Sequence, residues 1–175
     1  AVYFSNRNDD PVHLFFDDIL DAEIINSTVY VLTEREIISV DIKSNTPEII
    51  ALNSNQLSDI SVVESTIWGV SNQFGGVYFH TLGQLSNRVE FSKIDYGISN
   101  DILGSKIYFD GFSIVTHFET IFDSNVCWTS ENESICTNSG NSKSIFLHRN
   151  QTFTKSENSI GLWNGSDFEL VHVVN

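Results

Sequence analysis

Residues Ile60–Phe91 read ISVVESTIWGVSNQFGGVYFHTLGQLSNRVEF. Four short strands are expected here: Ile60–Glu64, Thr66–Ser71, Gly76–Thr81 and Arg88–Phe91. β-Branched and aromatic residues fill them, and Ser, Asn, Gln and Gly fill the gaps, which is the composition of strands and turns. Gly75 and Gly76 supply backbone freedom for the turn after Asn72-Gln73-Phe74.

Pieces of this stretch recur on both sides. Thr28-Val29-Tyr30-Val31 returns as Thr66-Ile67-Trp68-Gly69, 38 residues on. Lys106-Ile107-Tyr108-Phe109 follows after 40, and Ser159-Ile160-Gly161-Leu162-Trp163 after a further 53. Ala1–Phe16, AVYFSNRNDDPVHLFF, matches Gly76–Phe91, GVYFHTLGQLSNRVEF, at an offset of 75, about twice the basic period. Units of about 40 residues with four short strands each are the pattern of propeller blades. The expected fold is therefore all-β: a β-propeller or partial propeller of about four blades, each roughly 38–40 residues long. An irregular β-sandwich is the alternative. Residues 1–175 are read as one all-β domain, itself part of a larger propeller if the ring needs more chain.

Three hairpins carry the most local detail. Thr28–Ile42 with a turn at Glu34-Arg35 sets Val29 opposite Val40 and Val31 opposite Ile38, with Glu48–Leu52 closing the blade after Pro47. Asp110-Gly111 between Lys106–Phe109 and Phe112–Val115 reads as a type I′ turn. In Asn125–Asn138, a turn at Glu131-Asn132 pairs Trp128 with Ile135 and Cys127 with Cys136. The Cys pair falls at a non-hydrogen-bonded site, within disulfide reach. This hairpin is read as an insertion that lengthens the last offset. Ala1–Phe16 is read as a strand pair turning at Asn6–Pro11, against a helix started by Asp10-Pro11 and running to Ile25. Ile145–His148 is a short strand, and Ser159–Trp163 with Phe168–Val174 forms a last pair around Asn164-Gly165. On this reading the chain begins and ends partway through a blade.

Charge and processing signals narrow the class of function. With 9 Lys and Arg against 23 Asp and Glu, the net charge is −14, which disfavours nucleic acid and anionic membranes. No apolar run reaches membrane-spanning length, no signal peptide is visible and Met is absent, so the chain reads as a processed product or an excised domain. Four Asn-x-Ser/Thr sequons, at Asn26, Asn132, Asn150 and Asn164, fall at expected turns. Together with the Cys127–Cys136 pair they point to a secreted protein or the extracellular face of a cell.

Signals for chemistry are sparse. His13, His80, His117, His148 and His172 form no metal-ligand motif, although His80 and His117 lie on strands that could face a propeller axis. No nucleophile elbow, phosphate loop or dinucleotide fingerprint occurs. Neither metal nor cofactor is expected. Asp59, Glu64, Asp101 and Glu119 are the carboxylates conceivable as axial acid and base of a secreted glycan-active hydrolase, the alternative function. Trp68, Trp128 and Trp163 lie at or beside turns and are the candidate ligand-binding residues. The favoured function is an extracellular, glycosylated protein-binding or receptor-type module without catalysis. Its partner would be another extracellular protein or a second chain completing the propeller.

One further pattern bears on the class. Val29-Tyr30-Val31-Leu32-Thr33-Glu34, Cys127-Trp128-Thr129-Ser130 and the run Asn100–Tyr108 resemble blades of extracellular propellers of the low-density-lipoprotein-receptor type, marked by Tyr-Trp-Thr-Asp. Neither echo carries the Asp, and Trp128 follows Tyr108 by only 20 residues. The resemblance implies an extracellular ligand-binding propeller.

Overall fold

The computed structural model describes residues 2–4, 12–14, 16, 18–73, 75–82, 91–98, 102–130, 134–140, 144–148, 151–164 and 168–173. Among them every regular element is a strand. A short ribbon pairs β1 (Val2–Phe4) with β2 (Val12–Leu14). Four antiparallel four-stranded meanders follow. The first blade holds β3 (Ile19–Ile25), β4 (Thr28–Thr33), β5 (Glu36–Asp41) and β6 (Thr46–Leu52). The second holds β7 (Leu57–Val63), β8 (Thr66–Ser71), β9 (Gly75–Thr81) and β10 (Ser92–Ile98). The third holds β11 (Ile102–Phe109), β12 (Ile114–Thr120), β13 (Ser124–Thr129) and β14 (Ser134–Gly140). The fourth holds β15 (Ser144–His148), β16 (Gln151–Lys155), β17 (Ser159–Trp163) and β18 (Phe168–Val173). This is a propeller-type array, not two sheets laid face to face.

Blades stack because their sheets are apolar on both faces. Leu32 and Ile37 of the first blade meet Leu57, Ile60 and Ile67 of the second, all buried. Val70 and Val77 of the second meet Ile107 and Phe118 of the third. Phe118 lies edge-on to Tyr96, with ring centroids 5.9 Å apart. Val115, Val126 and Trp128 of the third pack against Ile145, Trp163 and Phe168 of the fourth. The link between the first two blades is pinned by buried Asn53. Its amide donates to Thr33 O at 2.9 Å and Leu57 O at 3.1 Å, and its Oδ1 accepts from Leu57 N at 2.7 Å.

The first strand of each blade has one edge with no sheet partner, so its outward N–H groups need other acceptors. Neighbouring first strands supply them as side chains. Asp21 Oδ2 on β3 accepts from Ile60 N on β7 at 3.0 Å, and Glu23 Oε2 accepts from Val62 N. Asp59 on β7 accepts from Ile107 N on β11 at 2.8 Å and pairs with Lys106 Nζ at 2.8 Å. The contacts advance together along both chains, so β3, β7 and β11 run parallel. A bulge recurs near the start of each, at Leu20, Ser58 and Leu103. Asp21, Asp59 and Gly104 follow it, so the third blade brings no carboxylate at this place.

Several expectations hold in register. Val29 faces Val40, Val31 faces Ile38, Trp128 faces Ile135 and Cys127 faces Cys136. The two cysteines are disulfide-bonded, with Cα atoms 4.1 Å apart. Pro47 lies on β6, the last strand of its sheet, where a missing N–H is tolerated. The ribbon β1–β2 replaces the helix considered for Asp10–Ile25, and β3 covers the rest of that segment.

Other expectations are corrected. The fourth strand of the central stretch is Ser92–Ile98, not Arg88–Phe91: Phe91 is outside any strand, and residues 83–90 lie outside the described ones. Ile94, Tyr96 and Ile98 give that strand its inward face. The match of Ala1–Phe16 to Gly76–Phe91 therefore holds only for its first half. Phe4 pairs with Val12 but Phe79 pairs with Ser92, so the second connection is five residues longer. Asp110-Gly111 does not form a two-residue turn. Phe109 pairs with Ile114, and the Asp110 carboxylate accepts from Phe112 N at 2.8 Å and Ser113 N at 2.7 Å. The Cys hairpin is no insertion but the outer half of the third blade. The last strands complete a four-stranded sheet because Gln151–Lys155 also pairs. First strands begin at Ile19, Leu57, Ile102 and Ser144, so the spacing is 38, 45 and 42 residues.

Asp59→Ala leaves the buried Ile107 N–H without its acceptor. It is expected to cost about 1–3 kcal/mol in urea unfolding, whereas Asp59→Asn, which keeps an acceptor oxygen, costs less. Equal stability of Asp59→Ala and the parent would refute this account of the clasp.

Candidate binding surface

The meander gives the array two unlike faces. First strands leave an entry face, where the β4–β5, β8–β9, β12–β13 and β16–β17 turns and the links between blades also lie. The first-to-second and third-to-fourth turns of every blade lie at the opposite, exit face. Asn26 sits at the tip of the β3–β4 hairpin on the exit face. It is exposed and in the left-handed region (φ 57°) that Asn tolerates well. Asn164 follows β17 on the same face, exposed, with its amide donating to Glu169 Oε1 at 2.7 Å. Asn132 and Asn150 lie outside the described residues; in chain order they fall between β13 and β14 and between β15 and β16. Asn53, Asn55, Asn72 and Asn158, on entry-face connections, are not followed by x-Ser/Thr.

The three tryptophans do not converge. Trp68, half-buried on β8, is 5.0 Å from Phe79 and lines an exit-face cleft of about 570 Å³ between the second and third blades. Phe109 and the exposed Phe112 form its opposite wall. Trp128 and Trp163 instead stack on each other between the third and fourth blades, with centroids 3.8 Å apart and Phe168 beside both. Their rings serve the blade junction.

The entry face carries what sequence inspection missed. A recess of about 580 Å³ opens between the first two blades, lined by Leu20, Asn53, Gln56, Ser58 and Asn72 among others. Ser58 and Ser105 hydroxyls meet at 2.9 Å, and both bond Asn72 Oδ1, which ties the recess to the third blade. Leu103, Ile121 and Phe122 stand exposed just beyond; Phe122 is 83% exposed. Leu52 is exposed at the first blade's end of the same face. The visible signal was Ile121-Phe122 between two strands with Asp123 after it, an apolar turn where a polar one is usual.

The carboxylates sort differently from the expected set. Glu64 lies at the β7–β8 hairpin on the exit face and Glu119 near the entry end of β12, so they cannot flank one bond. Asp101 lies outside the described residues. Burial pushes the Asp59 carboxyl up from its usual range, against the pull of Lys106 and the Ile107 N–H; the Asp21 carboxylate adds to the rise. Burial likewise raises Glu23, partly offset by its bond from Val62 N. These groups are spent on the clasps. His80 and His117 sit on β9 and β12, away from the first strands, and are buried; His80 packs on Phe91 at 5.6 Å. Among the described residues no group of three or more His, Cys, Asp or Glu is placed to hold a metal ion, and no helix is long and apolar enough to cross a membrane.

Known structures share this fold at low identity. The N-terminal β-propeller domain of Nup159 superposes with a TM-score of 0.55 at 7% identity, over 87% of this chain and 52% of that one. A S. cerevisiae structure holds dbp5 bound to nup159. PorZ, a bacterial surface component of the type-IX secretion system of Porphyromonas gingivalis, matches with a TM-score of 0.57 at 12% identity, over 90% and 21%. The extracellular domain of a one-component system from B. thetaiotaomicron matches with 0.56 at 13%, over 90% and 22%. The chain thus spans about half of the Nup159 domain's length and about a fifth of the other two. No protein family and no curated protein matches the sequence. The Tyr-Trp-Thr-Asp echoes have no family match behind them, and they occupy unlike places: Tyr30 is on a second strand and Trp128 on a third.

Two outcomes follow for stability. A carboxyl raised by folding favours the native state more once protonated, so stability is present at low pH and lost as pH rises through the folded pKa. With Glu23 and Asp59 raised, the urea midpoint is expected to increase as pH falls from neutral toward the ordinary carboxyl range, and Glu23→Gln to flatten the rise. Asp41 is held below its usual value by Ser44 bonds, and Asp95 by Lys93, so their contribution is lost in stronger acid and the profile turns over. Trp163→Ala removes one ring of the stack and is expected to cost about 3 kcal/mol in the same measurement.

Proposed function

We propose that this chain is an extracellular, N-glycosylated propeller module that binds another protein and has no catalytic activity of its own. The observation that carries the reading is the one-sided placement of the sequons. Asn26 and Asn164 are exposed at exit-face turns, and Asn132 and Asn150 fall in chain order within connections of the same kind. A glycan is bulky and solvated, so a face carrying several is kept from close protein contact. The entry face stays open, and it presents exposed apolar side chains, which mark contact surfaces when they cluster.

The disulfide supports an oxidising compartment. PorZ and the B. thetaiotaomicron domain are surface or extracellular proteins, and Nup159 binds a protein partner; both properties are carried over here by likeness of fold alone. The partner on this reading is another extracellular protein or a second chain completing a ring. A glycan-active hydrolase is not favoured, since the buried carboxylates are engaged by backbone N–H groups.

Secretion from eukaryotic cells, followed by intact mass before and after peptide-N-glycosidase, tests the reading. The expected result is a mass loss matching glycans at Asn26 and Asn164, with no free thiol. Unmodified secreted protein with two free thiols would refute it.

A further inference from the structure

The entry face combines three features. Its sequence holds no sequon. Exposed apolar groups stand there on two blades: Leu103 at the β11 bulge, Ile121 and Phe122 in the β12–β13 turn, and Leu20 at the β3 bulge beside the recess. Its charge is one-sided. Among the described residues Asp18, Glu34, Glu36, Asp123 and Glu157 stand there against Arg35 and Lys155. Three of these acids, Asp18, Glu34 and Glu36, line a smaller hollow with Arg35 beside the main recess, of about 320 Å³.

We infer that the entry face docks a protein segment bearing an apolar side chain flanked by Lys or Arg. The inference rests on the protein-binding reading above and names the surface and the partner's chemistry. Phe122, Ile121 and Leu103 supply the apolar contact, and the recess receives the side chain next to it. Basic flanks meet the acidic rim, and the chain's net charge of −14 speeds their approach. Rim charges act on encounter and on choice of partner, while the apolar centre holds the complex.

Two single substitutions test the surface by glycan masking. Gln56→Asn creates a sequon with Leu57 and Ser58 at the recess, and Glu64→Asn creates one with Ser65 and Thr66 at the exit-face hairpin. Both positions are exposed and have left-handed backbone, φ 52° and 53°, which Asn adopts readily, so both variants keep the fold. The probes are two fluorescein-labelled peptides with a Leu-Phe-Leu core, one flanked by Arg and one by Glu, read by fluorescence anisotropy.

The Arg-flanked peptide is expected to bind at least about tenfold more tightly than the Glu-flanked one. Phe122→Ser weakens it by about fivefold or more while the melting temperature holds. Secreted, glycosylated Gln56→Asn loses binding, the same variant from a bacterial periplasm keeps it, and glycosylated Glu64→Asn keeps it. Equal affinity for the two peptides, no binding at about 1 mM peptide, or loss caused by the Glu64→Asn glycan instead would overturn the inference. Loss only under the Glu64→Asn glycan would leave a protein-binding module that uses its other face. The bacterial arm needs no glycan, so an unglycosylated parent would sink the proposed function without deciding this one.

Discussion

A propeller-type array has an inner edge, and an inner edge has unpaired N–H groups. Here they are met by carboxylates from the preceding first strand: Asp21 to Ile60, Glu23 to Val62, Asp59 to Ile107. Much else follows from this constraint. It explains why β3 alternates acids where an ordinary strand would alternate aliphatics. It sets first strands parallel and at a fixed spacing. It accounts for the raised Glu23 and Asp59, since a carboxylate placed to reach its neighbour's backbone is partly withdrawn from water. Lys106, largely exposed, compensates Asp59 from the solvent side.

Apolar packing supplies the bulk of cohesion, while the clasps set register. Leu57, Ile67, Val70, Val77 and Phe118 are almost wholly removed from water between blades. Such contacts are non-directional and would tolerate sliding. The hydrogen bonds made by Asn53 and those accepted by the three carboxylates do not. The division of labour leaves several turns free of that duty, so one face can carry sequons and the other an exposed apolar turn.

The parts of the fold that were legible share a property: their pairing is local. The Glu34-Arg35 hairpin and the Cys127–Cys136 hairpin follow from turn length and alternation alone. The parts that were missed depend on a neighbour. β3 hides its inward face as Asp21 and Glu23, whose burial makes sense only beside β7. β16 hides its buried positions as Thr152 and Thr154. The recurrence of Lys106–Phe109 and Ser159–Trp163 with the second strands was a likeness between unequal positions, since these are a first and a third strand. Any two half-buried strands resemble each other once their surroundings are removed. The same limit governs the site. Trp68, Trp128 and Trp163 look alike in sequence and differ entirely by what lies across the next blade. Leu103 and Phe122 are distant in sequence and share a corner through the pairing of Ile102 with Thr120.

Gly104 stands where Asp21 and Asp59 stand in the earlier blades, and it cannot reach across. Among the described residues, ring stacking of Trp128, Trp163 and Phe168 joins the fourth blade to the third, where the earlier junctions have carboxylate clasps. A linear array stabilised by nearest-neighbour couplings opens first at its weakest coupling. Amide protons of β15–β18 would accordingly exchange through openings that leave the first three blades intact. Cooling would loosen that apolar junction more than the clasped ones, because apolar association weakens toward low temperature.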